Sequence, residues 1–391
     1  MKKIALLGST GSIGLNTLDV VRDFPELFRI EALSCHSSIE KLTEQIREFQ
    51  PKTVCVGKDE KAIELRQIFP DKEFVFGMKG LLKICTDPEV DMVVSGIVGA
   101  AGLKPTFSAL KEGKNVALAN KEPMVMAGEL FMQTAVNSGA KVLPADSEHN
   151  AIFQALKNEP PESISKLILT ASGGALRDHP LNEFEHITPA QALDHPNWEM
   201  GSKITIDSAT MMNKGLEIIE AHWLFNTPVQ NIEVVMHRES IIHSMVEFVD
   251  GSFLAQMGLP DMRIPLSHCL GWPDRLNLKI PRMDPISLKS LHFEAIDPMR
   301  FPCLSISMKA AKHGRGAPAV LNGANEIVVA SFLKEDINFL EISKTIHSVM
   351  QHFYKTITLT DVPPFLEKVL TIEDALQADN WGREQAIKFM P

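Results

Sequence analysis

Cysteine is scarce and unpaired in this sequence. Five residues (Cys35, Cys55, Cys85, Cys269 and Cys303) are scattered over 391 positions, with no C-x-x-C pair. That spread argues against a cysteine zinc site and fits a reducing, cytoplasmic setting. Basic residues are in the minority, 39 Lys and Arg against 49 Asp and Glu, for a net charge of −10. Such a field disfavours nucleic acid as a partner. An anionic ligand would need local cations or backbone donors. No apolar run approaches the about 18 residues that span a bilayer, so no membrane partner is expected. A strand pattern begins by Ile4 and leaves no room for a signal peptide. There are no repeats or low-complexity tracts. What remains is a globular composition, 45% hydrophobic with a mean hydropathy of zero. The length allows two or three domains.

The first half alternates strand and helix. Strands are expected at residues 4–7, 29–34, 53–56, 74–76, 92–95, 116–119 and 142–143. Helices are expected at 39–49, 61–68, 105–112 and 123–137, and after the glycine turn at 8–14. Strict alternation predicts an α/β fold with a doubly wound parallel, Rossmann-like sheet. From Glu148 the pattern changes to a central α+β domain. Its strands are expected at 166–170, 203–206, 232–236, 244–249 and 253–257, and its helices at 150–157, 189–193 and 209–225. Asp250-Gly251 marks a hairpin. Residues 272–302 hold five prolines and read as a linker. Residues 303–313, 319–333, 341–353 and 372–390 are helical and would form a C-terminal bundle. The expected domains are 1–146, 147–271, the linker 272–302, and 303–391.

Gly8-Ser9-Thr10-Gly11-Ser12-Ile13-Gly14 follows a strand and opens a helix. In that context glycines three apart let a pyrophosphate approach the backbone and the first N–H groups of the helix. NAD sites usually carry an acid at the end of the second strand. Here that position reads His36-Ser37-Ser38, which favours NADPH. Ser37 with Glu40 also fits a capping box.

Asp146 and Glu148 lie just past a strand end, at the sheet edge where ligands bind. Two carboxylates this close imply either a raised pKa for acid–base work or a hard divalent metal, Mg²⁺ or Mn²⁺. Alternatively Asp146 or Ser147 caps the next helix. In the run "KITIDSATMMNKGLEIIEAHW" the pattern reads strand, Asp-Ser turn, helix. Asn213 and Glu217 are four apart with Lys214 adjacent, and Ser208 is expected at the helix start. Glu217 is the preferred third ligand over Glu220, being nearer the Asn213–Lys214 pair. Ser172-Gly173-Gly174 offers a hydroxyl and N–H groups to phosphate. Trp198, between His195-Pro196 and Gly201, either docks in a core or closes as a lid. Lys121, in Asn120-Lys121-Glu122 at a strand end, either meets the cofactor and metal-bound oxygens or is solvated.

Taken together, GSTGSIG, NKE, ADSEH, SGG, HPNW-x-MG, DSATMMNKGLE and NGANE (residues 322–326) resemble the 1-deoxy-D-xylulose 5-phosphate reductoisomerase family, in order along the chain. The resemblance implies isomerisation and NADPH-dependent reduction of that phosphosugar to 2-C-methyl-D-erythritol 4-phosphate, in non-mevalonate isoprenoid biosynthesis. It also implies a homodimer and a divalent metal. Carried over by motif, Asp146, Glu148 and Glu217 hold the metal. Lys121, Ser147, Glu148, Ser172, His195, Trp198, Met200, Ser208, Asn213, Lys214 and Glu217 belong to the substrate site. Lys121, Asp146, Glu148, His195 and Glu217 form the catalytic set. Gly8, Ser9, Thr10, Gly11, Ser12, Ile13, His36, Ser37, Ser38, Asn120, Glu122 and Gly201 belong to the cofactor site. Two departures stand out. His36-Ser37-Ser38 lacks the cation of the family's Gly-Lys-Asn-like turn, and Ala175-Leu176 replaces Pro-Phe.

Overall fold

The computed structural model describes residues 1–198 and 200–391. Two compact units divide the chain. The first comprises Met1–Pro123, Phe131–Asn150 and Asp261–Pro281; the second comprises Met124–Leu130, Ala151–Pro260 and Arg282–Pro391.

The first unit is built on seven parallel strands: β1 (Lys2–Leu7), β2 (Phe28–Cys35), β3 (Thr53–Val56), β4 (Glu73–Phe76), β5 (Met92–Ser95), β6 (Asn115–Leu118) and β7 (Val142–Pro144). Their order is β4-β3-β2-β1-β5-β6-β7, a doubly wound parallel sheet of the class that the strand–helix alternation predicts. The strands read as short unbroken apolar runs because helices cover both faces. Ile4 to Leu7 and Val93 to Val94 are fully buried. The order reverses between β1 and β5, so the loops leaving these two strands part and open a crevice. A helix over Gly77–Thr86 joins the expected set.

The second unit carries a four-stranded sheet of order β11-β10-β8-β9, from β8 (Ile164–Ala171), β9 (Ile232–Met236), β10 (Ile242–Phe248) and β11 (Phe253–Met257). β10 and β11 are antiparallel across the Asp250-Gly251 hairpin, and Gly251 takes φ +83°. Leu167, Leu169 and Val246 of this sheet pack with Ile218 and Phe301 into one core. Four longer helices follow, Pro302–His313, Ala317–Leu333, Phe339–Thr356 and Ile372–Phe389. Two of them cross closely. A Cβ at Gly323 would lie 2.0 Å from the Asp379 carbonyl oxygen, and one at Gly382 would lie 2.2 Å from that of Val320.

One element overturns its expectation. Residues 203–206 are not a strand but part of the helix Ser202–Ala209. Lys203 pairs with Asp207 one turn on, at 2.9 Å, and Thr205, Ile206 and Ala209 are buried. Met211, at φ +60°, then breaks the chain into a second helix, Met212–Phe225. All five cysteines are free and buried, and burial pushes the Cys55 and Cys303 thiols up to about 12.

Candidate active site

On the first unit, the glycine turn is rigid for reasons its residues make plain. Gly8 has φ +77°, and a Cβ there would lie 2.7 Å from the Gly96 carbonyl oxygen, which leaves β5 alongside. A Cβ on Gly14 would lie 2.3 Å from the Ser9 carbonyl oxygen, so the helix Ser12–Asp23 starts hard against the turn. Gly11 differs. Its Cβ would meet only Gly8 oxygen at 3.5 Å, an ordinary contact, and Gly11 and Ser12 are exposed. The helix has no side-chain cap, so its first N–H groups remain for an anion.

Three residues outside the motif brace this turn. The Gln45 amide donates to the Ser9 carbonyl at 2.9 Å and accepts from the Ser9 hydroxyl at 2.7 Å. Ser34 Oγ accepts from the Gly8 N–H at 3.0 Å, and Cys35 Sγ lies 3.3 Å from Thr10 Oγ1. Gln45 carries no sequence signal beyond a polar residue on the inner face of its helix. His36, Ser37 and Ser38 follow β2 and are exposed. The capping box expected for Ser37 does not form. Ser38 is the N-cap of Ile39–Phe49, and no side chain caps it.

Register explains the next pair. Leu118 of β6 lies opposite Pro144 of β7, so the segments leaving both strands run side by side. Lys121 and Asp146 therefore meet, with Nζ to Oδ1 at 3.0 Å. Lys121 is 6% exposed, which excludes a solvated surface lysine. The Asn120 amide donates to the Glu122 carboxylate. His149 Nδ1 lies 3.4 Å from Asp146 Oδ2, a neighbour legible only as the His of ADSEH. Glu148 lies past the strand end, as expected. It stands in the first turn of the helix Ser147–Ala155, where the Ser147 hydroxyl donates to it at 2.6 Å.

On the second unit, Asn213 Nδ2 donates to Glu217 Oε1 at 2.6 Å, and Lys214 pairs with the other Glu217 oxygen. Lys214 and Glu217 are buried. Ser208 is not at a helix start as expected; it lies in the last turn of Ser202–Ala209. It still adjoins the Ser172-Gly173-Gly174 turn. Gly174 has φ +66°, and a Cβ there would lie 2.7 Å from the Ser208 carbonyl oxygen. NGANE supports this ground from afar, since Asn325 Nδ2 donates to buried Asp207 at 2.8 Å. Gly201 caps the same helix, with Met200 half-buried before it. Trp198 is half-buried, its ring 6.4 Å from that of His243.

His195 reaches Ser172 from the loop before that helix. Its Nδ1 accepts the N–H groups of Asn197 at 3.2 Å and Trp198 at 3.0 Å. An acceptor at Nδ1 places the proton on Nε2, which donates to Ser172 Oγ at 3.0 Å. The Ser172 hydroxyl hydrogen is left to donate elsewhere. Burial, and then the Arg177 charge, push the His195 pKa down to about 4. The unfolded chain takes up this proton near 6.5 and the folded chain near 4. The folded state is therefore expected to lose stability as pH falls from 6.5 towards 4, and to gain nothing from this group above 6.5. Urea midpoints across that window should fall less steeply in His195→Asn. Equal slopes would contradict the neutral, buried imidazole.

Three family models match the chain: 1-deoxy-D-xylulose 5-phosphate reductoisomerase at residues 4–128, its C-terminal domain at 142–225, and DXP reductoisomerase C-terminal domain at 257–385. The 1-deoxy-D-xylulose 5-phosphate reductoisomerase of Chlorobaculum tepidum is 49% identical over 389 residues, covering 99% of both chains. This chain belongs to the 1-deoxy-D-xylulose 5-phosphate reductoisomerase family. The family's Bacillus cereus protein is 47% identical over 96% of this chain and 98% of its own. A crystal structure of DOX-P reductoisomerase in complex with NADPH, fosmidomycin and magnesium has a TM-score of 0.93 at 41% identity, covering 100% of this chain and 98% of that chain. The Zymomonas mobilis reductoisomerase in complex with NADPH has a TM-score of 0.90 at 39% identity, covering 100% of this chain and 99% of that chain.

Proposed function

We propose that this protein isomerises and reduces 1-deoxy-D-xylulose 5-phosphate to 2-C-methyl-D-erythritol 4-phosphate, using NADPH and a divalent metal, Mg²⁺ or Mn²⁺, in non-mevalonate isoprenoid biosynthesis. One observation carries the reading: family membership extends from end to end of the chain, at 49% identity to a reductoisomerase over 99% of both lengths. Residues 1–146 bind NADPH, 147–271 form the catalytic and connective domain, 272–302 link, and 303–391 form the helical domain.

The residues present fit both groups. For NADPH, the space beside Gly11 is a cradle that any side chain would fill, and uncapped helix N–H groups border it. Gly8, Ser9, Thr10, Ser12 and Ile13 shape that cradle. Asn120, Glu122 and Gly201 serve the rest of the cofactor. His36, Ser37 and Ser38 hold the 2′-phosphate with hydroxyls and an imidazole, without a lysine. For the metal, Asp146, Glu148 and Glu217 supply the hard carboxylate oxygens that Mg²⁺ and Mn²⁺ prefer. When bound, the ion supplies Lewis-acid polarisation of the substrate's oxygens and NADPH supplies the hydride.

The chain's own groups do the positioning. Ser172, Ser208, Asn213 and Lys214 hold the phosphate, which orients the reacting carbons from a distance. The His195 tautomer keeps the Ser172 hydroxyl as a donor. Ser147 and Lys121 contact the sugar, and the Lys121 charge favours anionic oxygen near Asp146. Trp198 and Met200 close over the substrate and exclude water.

No helix among the described residues is long and apolar enough to cross a membrane. We propose a cytoplasmic homodimer. Phe253, Leu254 and Met257 are exposed on β11, the edge of the four-stranded sheet, and such an edge accepts a partner strand.

The test is NADPH oxidation with deoxyxylulose phosphate after EDTA treatment, with and without Mg²⁺ or Mn²⁺. Turnover that depends on the added ion is expected. Turnover that survives EDTA points instead to a metal-independent Rossmann oxidoreductase and overturns the metal assignment.

A further inference from the structure

A cation underlies the Ser172-Gly173-Gly174 turn, and none of the motifs above accounts for it. Arg177 Nη1 donates to the Ser172 carbonyl at 2.8 Å and to the Arg238 carbonyl at 3.3 Å. Its stem passes against the turn. Gly173 takes φ +83°, and a Cβ there would lie 2.8 Å from Arg177 Cβ and 3.1 Å from its Cδ. The turn is thus built around this side chain. Among the described residues Asp178 pairs with it, largely exposed and 3.5 Å from Nε, so that pairing is weak.

The Arg238 carbonyl has a second donor. Asn197 Nδ2 donates to it at 2.9 Å and to Ser240 Oγ at 2.8 Å. Asn197 lies two residues past His195, whose Nε2 meets Ser172. One guanidinium therefore ties the Ser172 turn to the backbone on which the His195–Trp198 segment is seated.

We propose that Arg177 is a positioning residue for the substrate's phosphate, acting through the Ser172 turn rather than by contact. This rests on the functional reading above. Three consequences follow from its geometry. It draws the Ser172 carbonyl dipole onto itself and so away from an incoming dianion. It sets a permanent positive charge behind the turn, in a chain of net charge −10 that otherwise repels anions. It also opposes protonation of His195, which keeps Nδ1 an acceptor for the Asn197 and Trp198 N–H groups.

The experiment uses the full chain with NADPH and Mg²⁺, comparing Arg177→Met and Arg177→Lys with the unaltered protein. Arg177→Met should raise KM for deoxyxylulose phosphate by about 10-fold or more, the scale of losing charge-assisted hydrogen bonds. Its KM for NADPH should stay within about twofold. Arg177→Lys keeps the charge on a shorter side chain without the guanidinium's fixed fork, so a smaller rise of about threefold is expected. The second readout is turnover of 1-deoxy-D-xylulose, the same sugar without phosphate, for which both variants should match the unaltered protein. A general structural defect would lower both substrates alike, and that result overturns the proposal, as does an unchanged KM for the phosphosugar. Should Arg177→Met fail to fold, Arg177→Lys carries the same comparison. No turnover of the phosphosugar by the unaltered protein overturns the functional reading instead.

Discussion

Replacing Glu217 by glutamine is expected to lower kcat at least about 10³-fold, the several kcal/mol a dication contributes at developing charge. NADPH binding should stay within about twofold. Glutamine keeps the size and one oxygen, so Asn213 Nδ2, which donates to Glu217 at 2.6 Å, retains an acceptor. What is lost is charge. Under the proposed ligand assignment the ion gives up one of three anionic oxygens and is held too weakly to polarise substrate. Lys214 also loses a buried carboxylate, so melting curves must accompany the rates. Near-normal turnover, or loss of turnover and of NADPH binding together, would remove Glu217 from the metal.

The second large effect is at the cofactor turn. Gly11→Val should leave the fold intact and weaken NADPH binding by about 10²-fold, the worth of one or two hydrogen bonds to a charged phosphate. Gly11 has φ −83° and ψ 176°, extended backbone that valine adopts freely. Its Cβ would meet nothing in the protein closer than 3.5 Å. The branched side chain would then stand where the pyrophosphate must approach. Gly8→Val and Gly14→Val are different experiments, because added atoms there would meet backbone at 2.7 and 2.3 Å. Those variants should lose stability as well as binding. An unchanged NADPH affinity in Gly11→Val, measured by fluorescence titration, would move the nucleotide off this turn.

Some parts of the fold were legible because local pattern and tertiary role agree. The strands at 53–56 and 92–95 fall where short apolar runs lie between turn residues. The capping residues Thr188 and Thr371 begin the helices Pro189–Leu193 and Ile372–Phe389 at their expected positions. The missed helix, Gly77–Thr86, carries two glycines that lower its propensity. Gly80 is there for packing, since a Cβ would lie 2.8 Å from Cys55 Sγ on β3. Residues 203–206 misled in the opposite sense. Ile204, Thr205 and Ile206 favour a strand by propensity. They are helical because Asp207 is buried against Asn325, 118 positions along the chain, and paired with Lys203 within one turn.

Taken alone, the sequence determined the alternation that makes a parallel sheet, the glycines that shape the cofactor turn and the order of motifs that marks the family. These are properties of neighbours, and spacing along the chain records them. Only the tertiary structure decided that Ser208 ends a helix, that Lys121 meets Asp146 across adjacent strands, and that Gln45 and Arg177 brace the two turns from beneath. Those contacts join residues far apart in order or hidden behind a turn. Their energy comes from burying polar groups in pairs, and a pairing leaves no trace in either partner's local pattern.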